Sequence, residues 1–287
     1  MLLWEEQRVE SWILEHEPVL RLAVFLTVIV LVGIIEMIRP RRRAEQPKPL
    51  RWANNLGLSV VNTVILRLMV PVTLVAAAGW TEYRGYGLFN HLAFPRAIEI
   101  VLAVILLDLV IYAQHVAFHK IPALWRVHRM HHTDLDIDAS TGLRFHPVEM
   151  ALSLGLKLGA VVALGAAPLA AFLFEIVLNG VTLFNHGNIK LGHRLDAAIR
   201  ALIVTPDMHR VHHSALREET DSNYGFNLSC WDRLFGTYRA APAQGYDGMT
   251  IGLEEFRDPK WLGIAWMLVT PFHRTPRPAR SAHKVSP

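Results

Sequence analysis

Long apolar runs separated by short polar segments dominate the chain. The first run, Val19 to Ile38, has about the length that crosses a bilayer. A second run covers Leu56 to Ala78, and a third covers Ala97 to Ala113. Two shorter runs, residues 147–165 and 168–184, follow each other with almost no loop and predict a helical hairpin in the membrane. The pattern therefore predicts an all-α fold, a multi-span integral membrane helical bundle.

Basic residues determine the predicted orientation of these helices. Residues 39–43 carry four arginines directly after the first run, and such clusters stay in the cytoplasm. Residues 79–95 carry few basic residues, as expected of an outer loop, so the third run returns to the cytoplasm. The run from Trp261 to Val269 is too short to span and predicts an interfacial helix. The tail after Phe272, rich in proline and arginine, is predicted to be disordered.

Composition agrees with a membrane protein and excludes several other classes. Of the 287 residues, 52% are hydrophobic and only 19% are charged, which is too apolar for an ordinary soluble domain. The net charge of +4 does not indicate nucleic-acid binding, because the basic residues lie beside the apolar runs. The single cysteine, Cys230, excludes an internal disulfide framework and an all-cysteine iron–sulfur site within this chain.

Histidines are concentrated in the middle of the chain, where three motifs contain most of them. H-x-x-x-H begins where the third apolar run ends, and H-x-x-H-H then occurs twice. Residues three and four apart share a helix face, so each motif predicts a stripe of imidazoles. Thr205 as N-cap, Pro206 at the first helical position and Asp207 beside the positive helix end predict where the last of these helices begins. The eight motif residues are His115, His119, His128, His131, His132, His209, His212 and His213.

This number of imidazoles predicts two metal ions. Imidazole binds iron, zinc, copper and nickel, and eight ligands exceed what one ion of coordination number four to six requires. His186, where the hairpin ends, and His146, where it begins, are further candidates. On the predicted topology every motif lies on the cytoplasmic side, as a histidine-rich helical cap. Metal-bound imidazoles usually donate to a carboxylate or a carbonyl, and the candidates for this role are Asp108, Asp134, Asp207 and Asp232.

At these motifs the sequence resembles the fatty acid hydroxylase/sterol desaturase superfamily, and most of all its compact bacterial members. The resemblance covers roughly Ala97 to Arg239. It rests on the three histidine motifs in order, on Phe145-His146-Pro147, on Asn185-His186, and on the stretch from Trp231 to Thr237.

The resemblance implies a di-iron centre that uses O2 to hydroxylate, or to desaturate, a lipid such as a sterol or a fatty acyl chain. Hydroxylation is preferred by family analogy alone. By motif match the eight histidines and His186 would be ligands, and zinc can replace iron in a purified sample. Some relatives have a histidine where this chain has Thr182. His146, Asn188 or water would then complete the ligand set.

The resemblance also implies partners and a location. The expected location is a bacterial inner membrane, with the metal site on the cytoplasmic side. The chain has no dinucleotide, flavin or cysteine-cluster motif. Electrons are therefore expected from an external donor, which could be cytochrome b5-like, a ferredoxin or a flavin reductase.

Three segments follow from these predictions. Residues 1–95 contain the N-terminal transmembrane helices with their connecting loops. Residues 96–240 form the fatty acid hydroxylase-like di-metal domain, including the hairpin. Residues 241–287 contain the interfacial helix and the basic tail.

Two other functional classes remain as alternatives to an oxygenase. A membrane zinc hydrolase needs fewer histidines and a carboxylate base, as in H-E-x-x-H, and that motif is absent from the sequence. A metal transporter binds its ion near the middle of the membrane, whereas these histidines lie beyond the ends of the apolar runs. Metal analysis after anaerobic purification distinguishes the three classes.

Overall fold

A computed structural model describes residues 2–92 and 94–273, and most of the predicted disordered tail lies outside these residues. Helices joined by turns and irregular loops make up the described chain, and its only β-pairing consists of isolated bridges. The α-helices are α1 (Leu2–Glu15), α2 (Glu17–Ile38), α3 (Lys48–Met69), α4 (Leu74–Arg84), α5 (Arg96–Lys120), α6 (Pro122–His128), α7 (Pro147–Leu164), α8 (Pro168–Asn185), α9 (His193–Arg200), α10 (Pro206–His212), α11 (Arg217–Thr220), α12 (Cys230–Leu234), α13 (Gly245–Gly248) and α14 (Ile264–Val269).

The predicted all-α, multi-span fold is confirmed. Five segments of the described chain are long and apolar enough to cross a membrane. They are Glu17–Ile38, Lys48–His91, Arg96–Lys120, Pro147–Leu164 and Pro168–Asn185. Large apolar side chains on their outer faces, such as Leu68 at 81% exposure, are placed where lipid tails would cover them.

The second predicted span differs from the observed structure. The apolar run from Leu56 to Ala78 suggests one helix, but α3 starts earlier and the chain leaves helical geometry after Met69. Pro71 lies in this break. Proline has no N–H to donate and disfavours a helical conformation at the residue before it, so α3 ends here. The chain then enters α4 through Thr73, whose hydroxyl accepts from the Ala76 N–H at 3.0 Å.

Helix α8 is the central helix of the bundle. Half of the residues in its apolar stretch are buried, whereas 11% are buried in the apolar stretches of α2 and of α7. The other spans therefore surround α8. Small side chains, including Ala170 and Ala171 of α8 and Ala103 of α5, pack into the core and allow close helix contacts. The packing aligns the C-terminal ends of α5 and α8 with the N-terminal end of α7, and this end of the bundle carries every histidine motif.

The turn between α7 and α8 fits tightly against the loop after α4. Gly165 closes α7 with a φ of +64°, and Gly87 opposite has a φ of +89°. A Cβ on Gly87 would lie 2.2 Å from the backbone N of Gly165. Neither position therefore has room for a side chain, and both require a left-handed backbone that favours glycine.

We predict that Gly87→Ala lowers the melting temperature of the detergent-solubilised protein by about 5 °C or more, because strain and a backbone clash combine. The matched control is Gly155→Ala in the middle of α7, where an added Cβ meets nothing within 4 Å. This control should leave the melting temperature unchanged or raise it, since alanine favours a helix over glycine. Equal effects of the two substitutions would contradict this packing.

Candidate metal centre

Nine buried histidines converge at the end of the bundle in two adjacent groups. In each group one nitrogen from every ring lies within 4.8 Å of the others. All nine side chains are buried, with exposures of 4% or less. The first group is His115, His119, His128, His132 and His212, and the second group is His131, His186, His209 and His213.

The two H-x-x-H-H motifs each contribute to both groups. His128 and His132, four residues apart, belong to the first group, while His131 between them belongs to the second. The later motif does the reverse: His209 and His213 belong to the second group and His212 to the first. In both motifs the first and last histidines share a group, and the histidine three residues after the first belongs to the neighbouring group.

Local structure at the two motifs differs from the predicted continuous helices. Helix α6 ends at His128, and residues 131–133 form a 3-10 turn. Helix α10 begins as predicted, with the Thr205 hydroxyl accepting from the Met208 N–H at 3.3 Å, but it ends at His212. These tighter turns bring the last histidine of each motif back toward the first, His132 toward His128 and His213 toward His209.

Hydrogen bonds at Nδ1 determine the tautomers in the first group. His115 Nδ1 lies 2.7 Å from the Tyr224 carbonyl oxygen, and His128 Nδ1 lies 2.6 Å from Glu149 Oε1. Because both oxygens accept, each Nδ1 carries a proton, and the neutral form of such a ring has its lone pair on Nε2. These two Nε2 atoms face each other at 3.2 Å, and His132 Nε2 lies 3.3 Å from that of His128.

The second group repeats this arrangement. His131 Nδ1 donates to the Arg144 carbonyl at 3.2 Å, and His186 Nδ1 donates to the Thr182 carbonyl at 2.8 Å. Their Nε2 atoms therefore both carry lone pairs, yet they lie 3.1 Å apart, and His209 Nε2 is 3.1 Å from that of His186. Lone pairs that point at each other repel unless a cation lies between them.

These distances fit metal ligation. Two nitrogens about 2.1 Å from one ion and at right angles to each other lie about 3 Å apart, close to the 3.1–3.3 Å found here. Both nitrogens of His119, together with Nε2 of His212 and of His213, are buried and have no hydrogen-bond partner. The donor set is entirely nitrogen, which suits a transition metal rather than calcium or magnesium.

Burial favours the neutral form of most clustered imidazoles outside the spans. Desolvation lowers the pKa of His212 to about 3 and the pKa of His186 to about 4. The pKa values of His131, His209 and His213 are also lowered well below 6.5, first by burial and then by neighbouring imidazoles. Metal ions bind neutral imidazole, so no proton must leave these rings before an ion binds near neutral pH.

Sequence reasoning missed two carboxylates at this site, Glu149 and Asp221, whose Oδ1 lies 3.5 Å from His119 Nδ1; Glu149 makes the closer contact. Its Oε1 accepts from His128 Nδ1 at 2.6 Å, while its other oxygen, Oε2, is buried without a hydrogen-bond partner. The signal was present in the sequence, because Glu149 lies in the first turn of α7, two residues after Pro147. A carboxylate behind a metal-binding imidazole fixes the ring and increases its basicity.

None of the four predicted carboxylates forms a hydrogen bond with a clustered imidazole. Asp108 Oδ2 accepts from Trp231 Nε1 at 2.8 Å, and Asp207 pairs with Arg41 at 3.2 Å. Asp232 accepts from the Tyr224 N–H at 2.7 Å and from the Gly225 N–H at 2.8 Å. It thus holds the segment whose carbonyl accepts from His115.

Asp134, two residues after His132, belongs to a buried ion-pair network. Arg51 Nε and Nη2 bind the two oxygens of Asp134 at 2.8 and 2.9 Å, and Arg51 Nη1 binds Asp138 at 2.6 Å. Burial alone would raise the pKa of Asp134, but the Arg51 charge and its hydrogen bonds lower it to about 2. The network clamps the loop that follows His131 and His132 onto α3.

The structure does not bring His146 to either histidine group. Its Nδ1 accepts from the Val148 N–H at 3.2 Å and caps α7, while its Nε2 contacts the Leu268 carbonyl at 3.2 Å. One nitrogen accepts and the other donates, so no lone pair remains for an ion. Asn188 is also engaged elsewhere, since its side chain binds the backbone of Arg42.

We predict that Glu149→Gln weakens metal retention about 10- to 100-fold, because the neutral amide supports His128 less strongly than a carboxylate does. Metal content measured by mass spectrometry during a chelator titration tests this. The matched control is Glu99→Gln, about 24 Å along α5 from His115, which should retain metal as the wild type does. Wild-type retention in Glu149→Gln would contradict the assignment.

Fold and site define a multi-span membrane protein with a buried two-group histidine centre. The sequence model of the fatty acid hydroxylase family matches residues 100–237. This stretch contains both histidine groups. Residues 100–237 therefore carry a fatty acid hydroxylase domain, in agreement with the resemblance to this superfamily that the motifs indicate.

Several curated relatives share this region. Ornithine lipid hydroxylase OlsE of Rhizobium tropici is 25% identical over 225 residues, which are 76% of this chain and 67% of the relative. Alkylglycerol monooxygenase is 27% identical over 159 residues in Homo sapiens and 30% identical over 152 residues in Danio rerio. These matches cover about half of this chain, at 50% and 52%, and 32% of each monooxygenase. No solved structure matches the chain.

Proposed function

We propose that this chain is a membrane-bound, non-haem di-iron oxygenase that uses O2 and external electrons to hydroxylate a lipid. The observation that carries the proposal is the pairing of unprotonated Nε2 atoms in each histidine group. Two groups of five and four nitrogens suit two ions. They exceed what one zinc ion of a hydrolase requires.

The chain's own residues would hold and shield this centre. Glu149 and the carbonyls of Tyr224, Arg144 and Thr182 fix ring orientation by accepting from Nδ1. When bound, an iron pair supplies the redox chemistry that oxidises an unactivated C–H bond. Phe145 stacks on His131 with ring centroids 4.5 Å apart and covers that side of the site.

Hydroxylation requires reactants that the chain must receive from outside. One oxygen atom of O2 enters the C–H bond, the other leaves as water, and two electrons and two protons balance the reaction. An external donor, either cytochrome b5-like, a ferredoxin or a flavin reductase, would supply the electrons. We place the site at the cytoplasmic face of a bacterial inner membrane, because the arginines after α2 lie at the same end as the histidines.

The substrate we infer is a polar membrane lipid with a hydrocarbon chain. The relatives with lipid names act on ornithine lipids and alkylglycerols, neither of which is a sterol. An open groove of about 580 Å³ with mainly apolar walls lies where α6 meets the start of α7, and it suits such a chain. Its lining includes Val127, Val148 and Phe272, and α6 also carries His128.

We predict two iron ions per chain after anaerobic purification, one for each histidine group. The double substitution His209→Ala/His213→Ala removes two of the four ligands of the second group and should leave about one ion per chain. His115→Ala/His119→Ala should do the same for the first group. The control His193→Ala, at an exposed position on α9, should keep both ions. A wild type with a single ion would contradict the proposal.

Lipid mass spectrometry tests the reaction. Cells that express the wild type under 18O2 should contain a lipid species heavier by one 18O atom, which should be absent with His131→Ala and present with His193→Ala. Label from water instead of O2 would favour a hydrolase. A species that has lost two hydrogens would replace hydroxylation by desaturation. An unchanged lipid profile in iron-replete, aerated cells would overturn the proposal.

A further inference from the structure

A polar pocket of ≈ 320 Å³ lies beside α10, and none of the nine clustered histidines lines it. Its walls come from residues 42–48 after α2, from residues 135–138 and from residues 247–251. Six of the lining side chains are basic and four are acidic. This excess of positive charge favours an anionic ligand.

The acidic side chains of the pocket are already bound to groups of the protein. Asp138 binds Arg51 at 2.6 Å, and Asp136 accepts from the backbone N–H groups of residues 45 and 46 at 3.0 and 2.7 Å. Asp247 pairs with Arg41, which does not line the pocket. Glu45 lies 3.8 Å from Arg42, and Lys48 pairs with Glu36 outside the pocket. Arg43, Arg210 and Arg257 are therefore the basic lining side chains without a carboxylate of the described chain within 3.8 Å.

Arg210 is a buried cation without a close carboxylate. Its side chain is 1% exposed, and its Nη2 reaches only the Gly187 carbonyl and Asn188 Oδ1, both at 3.3 Å. Its Nε has no hydrogen-bond acceptor. The nearest carboxylate oxygen, of Asp207, is 3.9 Å away and already binds Arg41 at 3.2 Å. Buried guanidinium groups normally have well-placed acceptors, so this one is poised for an additional anion.

We propose that this pocket binds an oxyanion, a phosphate or carboxylate group, through Arg210 inside it and Arg43 on its wall. Arg43 is exposed and has no acceptor within the described chain, so it is free to contact such a group. The flat, two-pronged guanidinium matches the geometry of these oxyanions. The membrane-spanning helix α2 ends at Ile38, and the pocket lining begins four residues later at Arg42, so the pocket stands at the level of lipid headgroups. A soluble anion would bind through the same chemistry. The inference is independent of the oxygenase proposal.

Binding of inorganic phosphate to the purified, metal-loaded full-length protein in detergent tests this site by calorimetry at constant ionic strength. Melting temperatures in nanodiscs of phosphatidylcholine, with and without phosphatidic acid, test the headgroup as its source. We expect Arg210→Gln to weaken phosphate binding at least about tenfold, and Arg43→Gln to weaken it less. The matched control Arg39→Gln, an exposed arginine outside the pocket, should bind as the wild type does.

The outcomes separate the source of the anion from the existence of the site. A response to phosphatidic acid alone assigns the site to a lipid headgroup, and a response to phosphate alone assigns it to a soluble anion. If Arg210→Gln does not fold, Arg43→Gln and Arg210→Lys decide, and both should bind more weakly than the wild type. No response to either ligand, or wild-type binding by the pocket variants, would overturn the proposal.

Discussion

The close approach of imidazole nitrogens that carry no proton is the interaction on which this structure depends. His115 and His128 each donate their Nδ1 proton to an oxygen acceptor. Their Nε2 atoms, which carry lone pairs in the neutral rings, lie 3.2 Å apart. His131 and His186 do the same at 3.1 Å. A protein interior does not hold such pairs without something that attracts both lone pairs. Metal binding and folding are therefore expected to be coupled at this end of the bundle.

The membrane fold explains how distant parts of the chain reach one place. Helices α5 and α8 end on the side where α7 begins, so His115, His186 and Glu149 arrive at one level from three different spans. The short helices α6 and α10 add the two H-x-x-H-H motifs from beyond the spans. Each motif contributes to both groups, so neither group can form without both motifs.

Sequence reasoning predicted much of this arrangement because the signals were local. Apolar runs predicted the spans, and Thr205 with Pro206 predicted the start of α10. Histidine spacing predicted the shared faces. The division into two groups depends on how the turns after His128 and His212 close, and no local pattern encodes that. Pro71 was a visible signal for the break after α3, but the apolar run around it favoured one continuous span.

The functions of single polar residues were harder to predict, since a carboxylate or imidazole acquires its role from its tertiary partners. His146 has the same side chain as the clustered histidines, yet it caps α7. Glu149 is only three residues further along and contacts His128. The predicted carboxylates support the backbone or pair with arginines instead. The sequence therefore favoured Asp108 and not Glu149 as the support of a metal-binding imidazole, although Glu149 contacts His128 and Asp108 binds Trp231.

X-ray absorption at the iron K edge of the anaerobically purified protein tests the two-ion cage most directly. The account predicts first-shell scattering from nitrogen or oxygen only, with outer-shell scattering from several imidazole rings per iron. Substitution of His209 and His213 should reduce the iron content while the remaining ions keep the imidazole signal of the first group. Iron without imidazole scattering, or histidine groups that bind no metal in the folded protein, would contradict it.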